Sequence, residues 1–454
     1  MNTSIAHFVH EHLILHQEAI ASEFQVARLL HDSAEDAARE VFRALLQELL
    51  DLYVTQLLHR PKWKRRRRWD QATVACWCGR CGSQMRRHFV RNGHYHRGMA
   101  TNWGHVRGIK IPLLRCTHCR KGYVHVAFPF LPKYLRIWSD LMRQALLDCA
   151  TGLSFRQQLE RQMEQKQVVL GLHSLNQRVN RVVTGLTIWA QRPLSEVPPI
   201  VQLDGIYFSV MERTRQPKRD ARRRKRKRLR YRKRVALVAL GLWPDGRHQL
   251  LGWTLARSEQ AEEWQQLLLA LHARGLTAEA GFRLAIGDGA PGIYEALVFV
   301  YHDQVPFQRC IFHKLQRVGH RDNLVDADNR ARILHDAAAI WEIPDRHIIY
   351  ERLRAFRCQW EDREPRSVHS LLLGFAHSLT YLDIAGLDPL QFARTTSHAE
   401  RLMRELRRKL SQVGPLLTDV GAQATLTLLA ARLNGHWSGD PWLEPLMQAI
   451  LEDA

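Results

Sequence analysis

One segment in the second half of the chain constrains the fold more than any other. A short apolar run, Phe282 to Ile286, ends at Gly287-Asp288-Gly289, where two glycines permit a sharp turn. A helical pattern starts near Pro291, and a second short strand candidate covers Val305 to Gln308. This order predicts a βαβ unit with the Asp288 carboxylate at the carboxyl edge of its first strand, where open α/β sheets place their functional groups.

The charge of the chain indicates a polyanionic partner. Its 454 residues carry 67 Lys and Arg against 45 Asp and Glu, a formal net charge of +22. Residues 218–234 contain much of this excess and are too charged to fold alone, so we predict a loop that is disordered without DNA. A non-specific grip on DNA is the favoured function of this loop, and a solvated loop without a task is the alternative. Its DNA-binding candidates are Arg222, Arg223, Arg224, Lys225, Arg226, Lys227 and Arg228.

The cysteine pattern favours a metal in a reducing compartment. Eight cysteines occur, four of them as Cys78-x2-Cys81 and Cys116-x2-Cys119, the pairwise spacing of a four-thiolate structural Zn²⁺ site. Cys76 is an alternative to Cys78, and four thiols without metal are the other possibility. No apolar stretch reaches the roughly 20 residues that span a bilayer, and polar residues interrupt the N-terminus. We therefore expect a cytoplasmic protein with no membrane partner.

Hydrophobic periodicity divides the chain into six regions. Helical patterns dominate the first, third, fifth and sixth regions, and β patterns dominate the second. The predicted regions are 1–70 (helical, with the basic knot Lys62 to Arg68), 71–130 (β-rich), 131–195 (helical), 196–329 (α/β core), 330–390 (helical) and 391–454 (helical). The fold class predicted is therefore multidomain α/β.

The helical region 131–195 has the pattern of a helix-turn-helix. Gly152 lies between two predicted helices, and Ser174 is predicted as the N-cap of a third. The segment from Ser174 to Arg181 would then be the recognition helix, with Arg178 and Arg181 among the side chains offered to base edges. Generic helical packing is the alternative.

Three acids are candidates for a catalytic centre. Asp204 lies on the first core strand, Ile200 to Phe208, and, like Asp288, is followed by glycine. On neighbouring strands the two carboxylates would repel each other unless a cation bridged them, and a pair of Mg²⁺ ions would do so. Glu400 is the predicted third acid, on the flank of a helical apolar stripe. The alternatives are turn residues for the aspartates and an ion pair with Arg404 for Glu400.

The order of these motifs resembles that of the Mutator-like bacterial insertion-sequence transposases. The matching elements are Leu203-Asp204-Gly205, the tract from Gly252-Trp253 to Glu259 with Trp264, Leu271 to Leu276, Gly287-Asp288-Gly289, Cys310-x2-His313, and Thr395-Thr396 to Glu400. The resemblance implies an RNase H-like core of the DDE group, preceded by a zinc ribbon and a helix-turn-helix and interrupted by an all-helical insertion at 330–390. It implies that Asp204, Asp288 and Glu400 bind Mg²⁺ or Mn²⁺, with Cys310 and His313 nearby.

The function implied by this resemblance is DNA transposition. The enzyme would bind the terminal inverted repeats of its element, cut a DNA strand, and join the freed 3′ end to target DNA, as a homodimer at the bacterial nucleoid. A non-catalytic DNA-binding regulator derived from a transposase is the second hypothesis, and an RNase H-like nuclease is the third.

Overall fold

A computed structural model gives the architecture of most of the chain. It describes residues 23–65, 69–120, 124–131, 133, 135–166, 171–219, 225–384, 401, 404–410, 418–439 and 441–453. These residues form two compact units. The first extends to Leu147 and includes Phe155–Leu175, and the second consists of Asp148–Ser154 and the chain from Asn176 to Ala449. The fold is thus a mixed α/β fold of more than one domain.

The first unit packs one long helix on small antiparallel sheets. Helix α1 spans Glu23–Leu58, and the strands are β1 (Cys76–Cys78), β2 (Phe89–Thr101), β3 (Gly104–Cys116) and β4 (Val124–Val126). Strand β2 pairs with β3, and β1 pairs with β4. The buried stripe of α1 repeats every four residues and shares one core with the strands: Leu46, Leu50, Val54 and Leu58 pack with Phe89, Ile109 and Leu114. This core joins residues from the two regions predicted as 1–70 and 71–130.

Three helices follow the small sheets. They are α2 (Ser139–Thr151), α3 (Phe155–Lys166) and α4 (Leu172–Ala190). The prediction that Ser174 caps the third helix is wrong, because α4 begins at Leu172. The amide of Leu175 donates to the carbonyl of Gly171 at 3.0 Å, so helical hydrogen bonding is already established around Ser174.

A five-stranded sheet forms the centre of the second unit. Its strands are β5 (Ile200–Arg219), β6 (Lys225–Leu242), β7 (His248–Ala256), β8 (Leu284–Gly287) and β9 (Phe307–Arg309). Their order is β7-β6-β5-β8-β9, in which β5–β6 and β6–β7 are antiparallel whereas β5–β8 and β8–β9 are parallel. The crossover through a helix between β8 and β9 is the predicted βαβ unit.

The basic segment 218–234 differs from the disordered loop predicted for it. Strands β5 and β6 extend into it as an antiparallel hairpin, with Lys218 opposite Arg226 and Arg219 opposite Lys225. The prediction from charge was wrong here because paired strands are held by hydrogen bonds between backbone groups. Every residue in the segment supplies these groups, whatever its side chain. Residues 220–224, which include the candidates Arg222, Arg223 and Arg224, lie outside the described part of the chain.

Helices cover both faces of the five-stranded sheet. One face packs against α5 (Ala261–Ala273) and α6 (Pro291–Tyr301), and Trp264 is buried there. The opposite face packs against a larger helical layer: α7 (Ile311–Val318), α8 (Arg330–Ala339), α9 (Arg346–Trp360), α10 (Pro365–Leu372) and α11 (Asp419–Ser438). The last helix, α12, spans Leu443–Asp453, and none of the described helices has the length and apolar composition needed to cross a membrane.

Candidate active site and metal centre

The register of the parallel strands brings Asp204 and Asp288 to adjacent positions. Ile200 pairs with Leu284 and Gln202 with Ile286, and two residues further along the same register come Asp204 and Asp288. Neighbouring strands lie about 4.8 Å apart, so the two acids start from adjacent backbone positions. Both side chains are half-buried. Asp204 lies in β5, and Asp288 directly follows the last residue of β8, the strand that pairs with β5 as the sequence predicted.

Local hydrogen bonds orient both carboxylates. The amide of Gly205 donates to Oδ1 of Asp204 at 2.8 Å. The amide of Ala290 donates to Oδ1 of Asp288, also at 2.8 Å, closing a turn whose Gly289 has a φ of +87°. The left-handed conformation explains the glycine after Asp288, because other residues are strained there. The turn holds the acid at the strand end, directly before α6.

Cys310 and His313 lie at the end of the third parallel strand. Gly287 pairs with Arg309, and the amide of Cys310 donates to the Gly287 carbonyl at 2.7 Å, which puts Cys310 next to Asp288. Cys310 is fully buried and precedes α7, whose first turn carries His313. Burial alone would lower the pKa of His313. A side-chain hydrogen bond with Cys310 and the charges of Cys310, Asp204 and Asp288 outweigh burial and raise this pKa to about 9. These two residues are therefore neighbours of the aspartates.

Glu259 joins this group, although the sequence did not identify it as a site residue. Burial raises its pKa to about 7, and the nearby charges of Asp288 and Asp204 act in the same direction. The pKa of Asp204 is also raised, first by burial, with Asp288 adding to the effect and His313 opposing it. Two features of the sequence could have indicated Glu259. It belongs to a tract that matches the transposase pattern, and the glycine at 205 leaves room for its carboxylate.

Glu400, the predicted third acid, lies outside the described residues. The helical segment 404–410 is described, and Leu406 and Leu410 of the predicted apolar stripe are buried in the core. The charge of Arg407 lowers the pKa of Asp204, which places this segment near Asp204.

We expect His313 to remain protonated at neutral pH in protein free of divalent cations at the acids. Its folded pKa of about 9 exceeds the ordinary 6.5, so its contribution to stability is complete below pH 6.5 and is lost as the pH rises through 9. An NMR titration of the imidazole protons should give a midpoint near 9 that falls in Cys310→Ala, which lacks the hydrogen bond. A wild-type midpoint at or below 6.5 would contradict the charge assignment.

Four cysteine sulfurs converge in the first unit. The Sγ atoms of Cys78 and Cys119 are 3.6 Å apart, those of Cys81 and Cys116 are 3.8 Å apart, and all four lie within 4.8 Å of one another. Tetrahedral thiolates about 2.3 Å from a central ion would be separated by about 3.8 Å, so these residues fit a four-thiolate metal site. Cys76 is fully buried opposite Val126 and is not part of this cluster.

Backbone amides point at one sulfur of each cysteine pair. Burial opposes ionisation of Cys78, but the amides of Cys81 and Arg80 lower its pKa to about 6. Burial raises the pKa of the Cys116 thiol to about 11, and the amides of Cys119 and His118 oppose that rise. The two knuckles thus present the same pattern of amides, and this pattern favours the thiolate form that binds metal.

The predicted DNA-contacting residues fall on two described elements. Arg178 and Arg181 lie on α4, where Arg181 is exposed and Arg178 half-buried. Lys225, Arg226, Lys227 and Arg228 lie on β6 within the basic hairpin.

Comparison with known proteins identifies the family. The family model described as "Transposase, Mutator family" matches residues 14–439, nearly the whole chain. The protein therefore belongs to the Mutator family of transposases, as the order of its motifs indicated.

Individual relatives agree with this family. The transposase for insertion sequence element IS406 of Burkholderia multivorans is 30% identical over 56% of this chain, which spans 59% of that relative. The transposase for ISRM5 of Rhizobium meliloti is 24% identical over 89% of both chains. Among solved structures, the Drosophila P element transposase strand transfer complex has a TM-score of 0.27 at 10% identity, over 66% of this chain and 80% of that one. A TM-score this low carries no conclusion about the fold.

Proposed function

We propose that this protein is an insertion-sequence transposase that binds the ends of its element and catalyses metal-dependent DNA strand cleavage and strand transfer. The observation that carries the proposal is the placement of Asp204 and Asp288 at adjacent strand positions, in a chain of the Mutator family. A transposase-derived regulator without catalysis has no need for two half-buried carboxylates held side by side.

The proposed fold of the catalytic core is RNase H-like. The supporting observation is the sheet itself, in which three antiparallel strands are followed by two parallel ones and the first strand in sequence is central. We assign 196–329 and 391–454 to this core and 330–390 to a helical insertion; helices α8 to α10 and 3₁₀ turns occupy most of 330–384. Residues 71–130 would be a zinc ribbon and 131–195 a helix-turn-helix.

The carboxylates suit Mg²⁺ or Mn²⁺ as the cofactor of this core. Both are hard ions that prefer oxygen ligands, and Mg²⁺ sites in proteins often use one or two carboxylates together with substrate phosphate. Asp204, Asp288 and Glu400 would hold the ions. When bound, such ions stabilise the charge that develops on the reacting phosphate and activate the attacking hydroxyl.

The chain itself positions the reacting groups and controls charge. Gly205 and Ala290 fix the rotation of the two carboxylates through their amides. Before a cation binds, protonated His313 would place a positive charge beside Asp204 and Asp288 and offset part of their negative charge.

DNA would be held by basic residues on α4 and in the hairpin. Arg178 and Arg181 on α4 would contact DNA within the helix-turn-helix, and the hairpin with Lys225, Arg226, Lys227 and Arg228 would contact phosphates without reading sequence. The cysteine cluster would bind Zn²⁺, because its sulfur separations match a tetrahedral Zn²⁺ site. A homodimer at the bacterial nucleoid completes the proposal.

The proposal is tested with purified protein and a supercoiled plasmid carrying the element ends. We expect Mg²⁺-dependent nicking at the ends and joining of the 3′ ends to target DNA, both lost when EDTA removes the cation. Cleavage without joining would identify a nuclease, and end binding without cleavage in Mg²⁺ or Mn²⁺ would identify a regulator; either result overturns the proposal.

A further inference from the structure

Glu259 lies between β7 and α5, one residue before the N-cap Gln260. An acid at this place has an ordinary explanation, because negative charge near a helix N-terminus is favourable. The first turn of α5 already supplies that charge through Glu262 and Glu263. The side chain of Glu259 is instead half-buried and lies against the backbone that carries Asp204.

Two glycines make this position possible. A Cβ built on Gly205 would collide with Oε1 of Glu259 and come within 2.9 Å of its Cδ, so the carboxylate occupies the space that a side chain at 205 would fill. A Cβ on Gly292 would lie 2.6 Å from the Glu259 carbonyl oxygen and 3.0 Å from the Ala261 amide nitrogen. Gly205 therefore admits the carboxylate, and Gly292 lets its backbone approach α6, the helix that follows Asp288.

The carboxylate of Glu259 has no hydrogen-bond donor or ion-pair partner among the residues that the structure describes. The charges that act on it are those of Asp288 and Asp204, which repel it, and that of His313, which attracts it. Among the charges that act on Glu259 itself, two carboxylates against one imidazolium leave an excess of negative charge in a partly desolvated place, whereas Arg407 acts on Asp204 and Arg309 on Asp288. A bound cation would remove this excess.

We propose that Glu259 is a further carboxylate of the cation site formed by Asp204 and Asp288, and that it contributes to binding the divalent ion. This inference rests on the proposed function, since it concerns the same site. Glu259 lies against Gly205, the residue after Asp204, on the face of the sheet that α5 and α6 cover.

The inference is tested by measuring Mn²⁺ affinity of the full-length protein, loaded with zinc and free of DNA, by titration calorimetry. Glu259→Gln keeps the size of the side chain and should weaken Mn²⁺ binding by about tenfold or more. Glu262→Gln is the matched control, because it removes the same charge from an exposed residue three positions away and should leave the affinity unchanged. Glu259→Asp keeps the charge but shortens the side chain by one methylene group. It should weaken Mn²⁺ binding less than Glu259→Gln does.

Thermal unfolding separates a cation ligand from a residue that only supports the fold. In buffer without divalent cations, Glu259→Gln should unfold at the wild-type temperature or above, because like-charge repulsion is removed, while the rise in Tm caused by Mn²⁺ should shrink. If Glu259→Gln keeps the wild-type Mn²⁺ affinity while Asp288→Asn loses binding, the inference about Glu259 is wrong and the proposed cation site stands. Wild-type affinity in both variants overturns the proposed cation site as well.

Discussion

Replacing Asp288 with Asn, or separately Asp204 with Asn, is expected to reduce strand cleavage and strand transfer by about 10³-fold or more. Catalytic metal ions contribute several kcal/mol of transition-state stabilisation, and each 1.4 kcal/mol is a factor of about ten in rate. The amide of asparagine keeps the shape of the side chain but lacks the charge that holds the ion. Single-turnover cleavage of a labelled element end in Mg²⁺ measures the effect.

Binding of the element ends should survive these substitutions, because the proposed DNA contacts lie on α4 and the basic hairpin. A gel-shift titration in EDTA checks this, and circular dichroism checks that the fold is kept. Asp322→Asn provides the control, since Asp322 is exposed and the same atoms are changed. Wild-type cleavage rates in Asp204→Asn or Asp288→Asn would show that these aspartates do not carry the reaction.

Loss of the metal from the cysteine cluster is expected to unfold the first unit. Zinc contributes roughly 10–16 kcal/mol of apparent binding free energy in small zinc domains, which is as large as a typical domain's whole stability of about 5–15 kcal/mol. Cys78 and Cys116 are also buried within the core that α1 shares with the strands. In Cys116→Ser, elemental analysis should show bound zinc falling from about one equivalent toward none, with the unfolding transition of this unit lost.

Two other cysteines supply the controls for this experiment. Cys358→Ser, at an exposed position on α9, should keep zinc and stability. Cys76→Ala should keep zinc but lose some stability, because Cys76 is buried yet not part of the cluster. Zinc retained in Cys78→Ala and lost in Cys76→Ala would reassign the ligand. Carefully prepared wild-type protein without zinc would contradict the metal site altogether.

The core strands could be predicted from the sequence because their apolar residues form short runs bounded by turns. The run from Ile200 and the two runs of the βαβ unit at Asp288 correspond to strands in the structure. Adjacency of Asp204 and Asp288 followed from placing their strands side by side. Local pattern and simple topology were enough for these features.

Glu259 could not be found in the same way, since no local pattern states which distant backbone a side chain will contact. Its position depends on the absence of atoms at Gly205 and Gly292, and both depend on how the sheet and two helices pack. Charge misled the prediction at the basic hairpin, where strand pairing through the backbone extends past Tyr231. The amino-acid composition of a segment predicts how its side chains are solvated better than it predicts whether its backbone groups pair in a sheet.

The hairpin formed by β5 and β6 also sets a distance. Asp204 and the basic residues lie on the same continuous strand, and the fifteen steps from Asp204 to Arg219 correspond to at most roughly 50 Å at about 3.3 Å per residue. That reach equals the length of about 15 base pairs of duplex DNA. The hairpin is thus a spacer, and removing two residues from each of its strands would move the proposed DNA-contacting residues toward the acids by the length of about two base pairs.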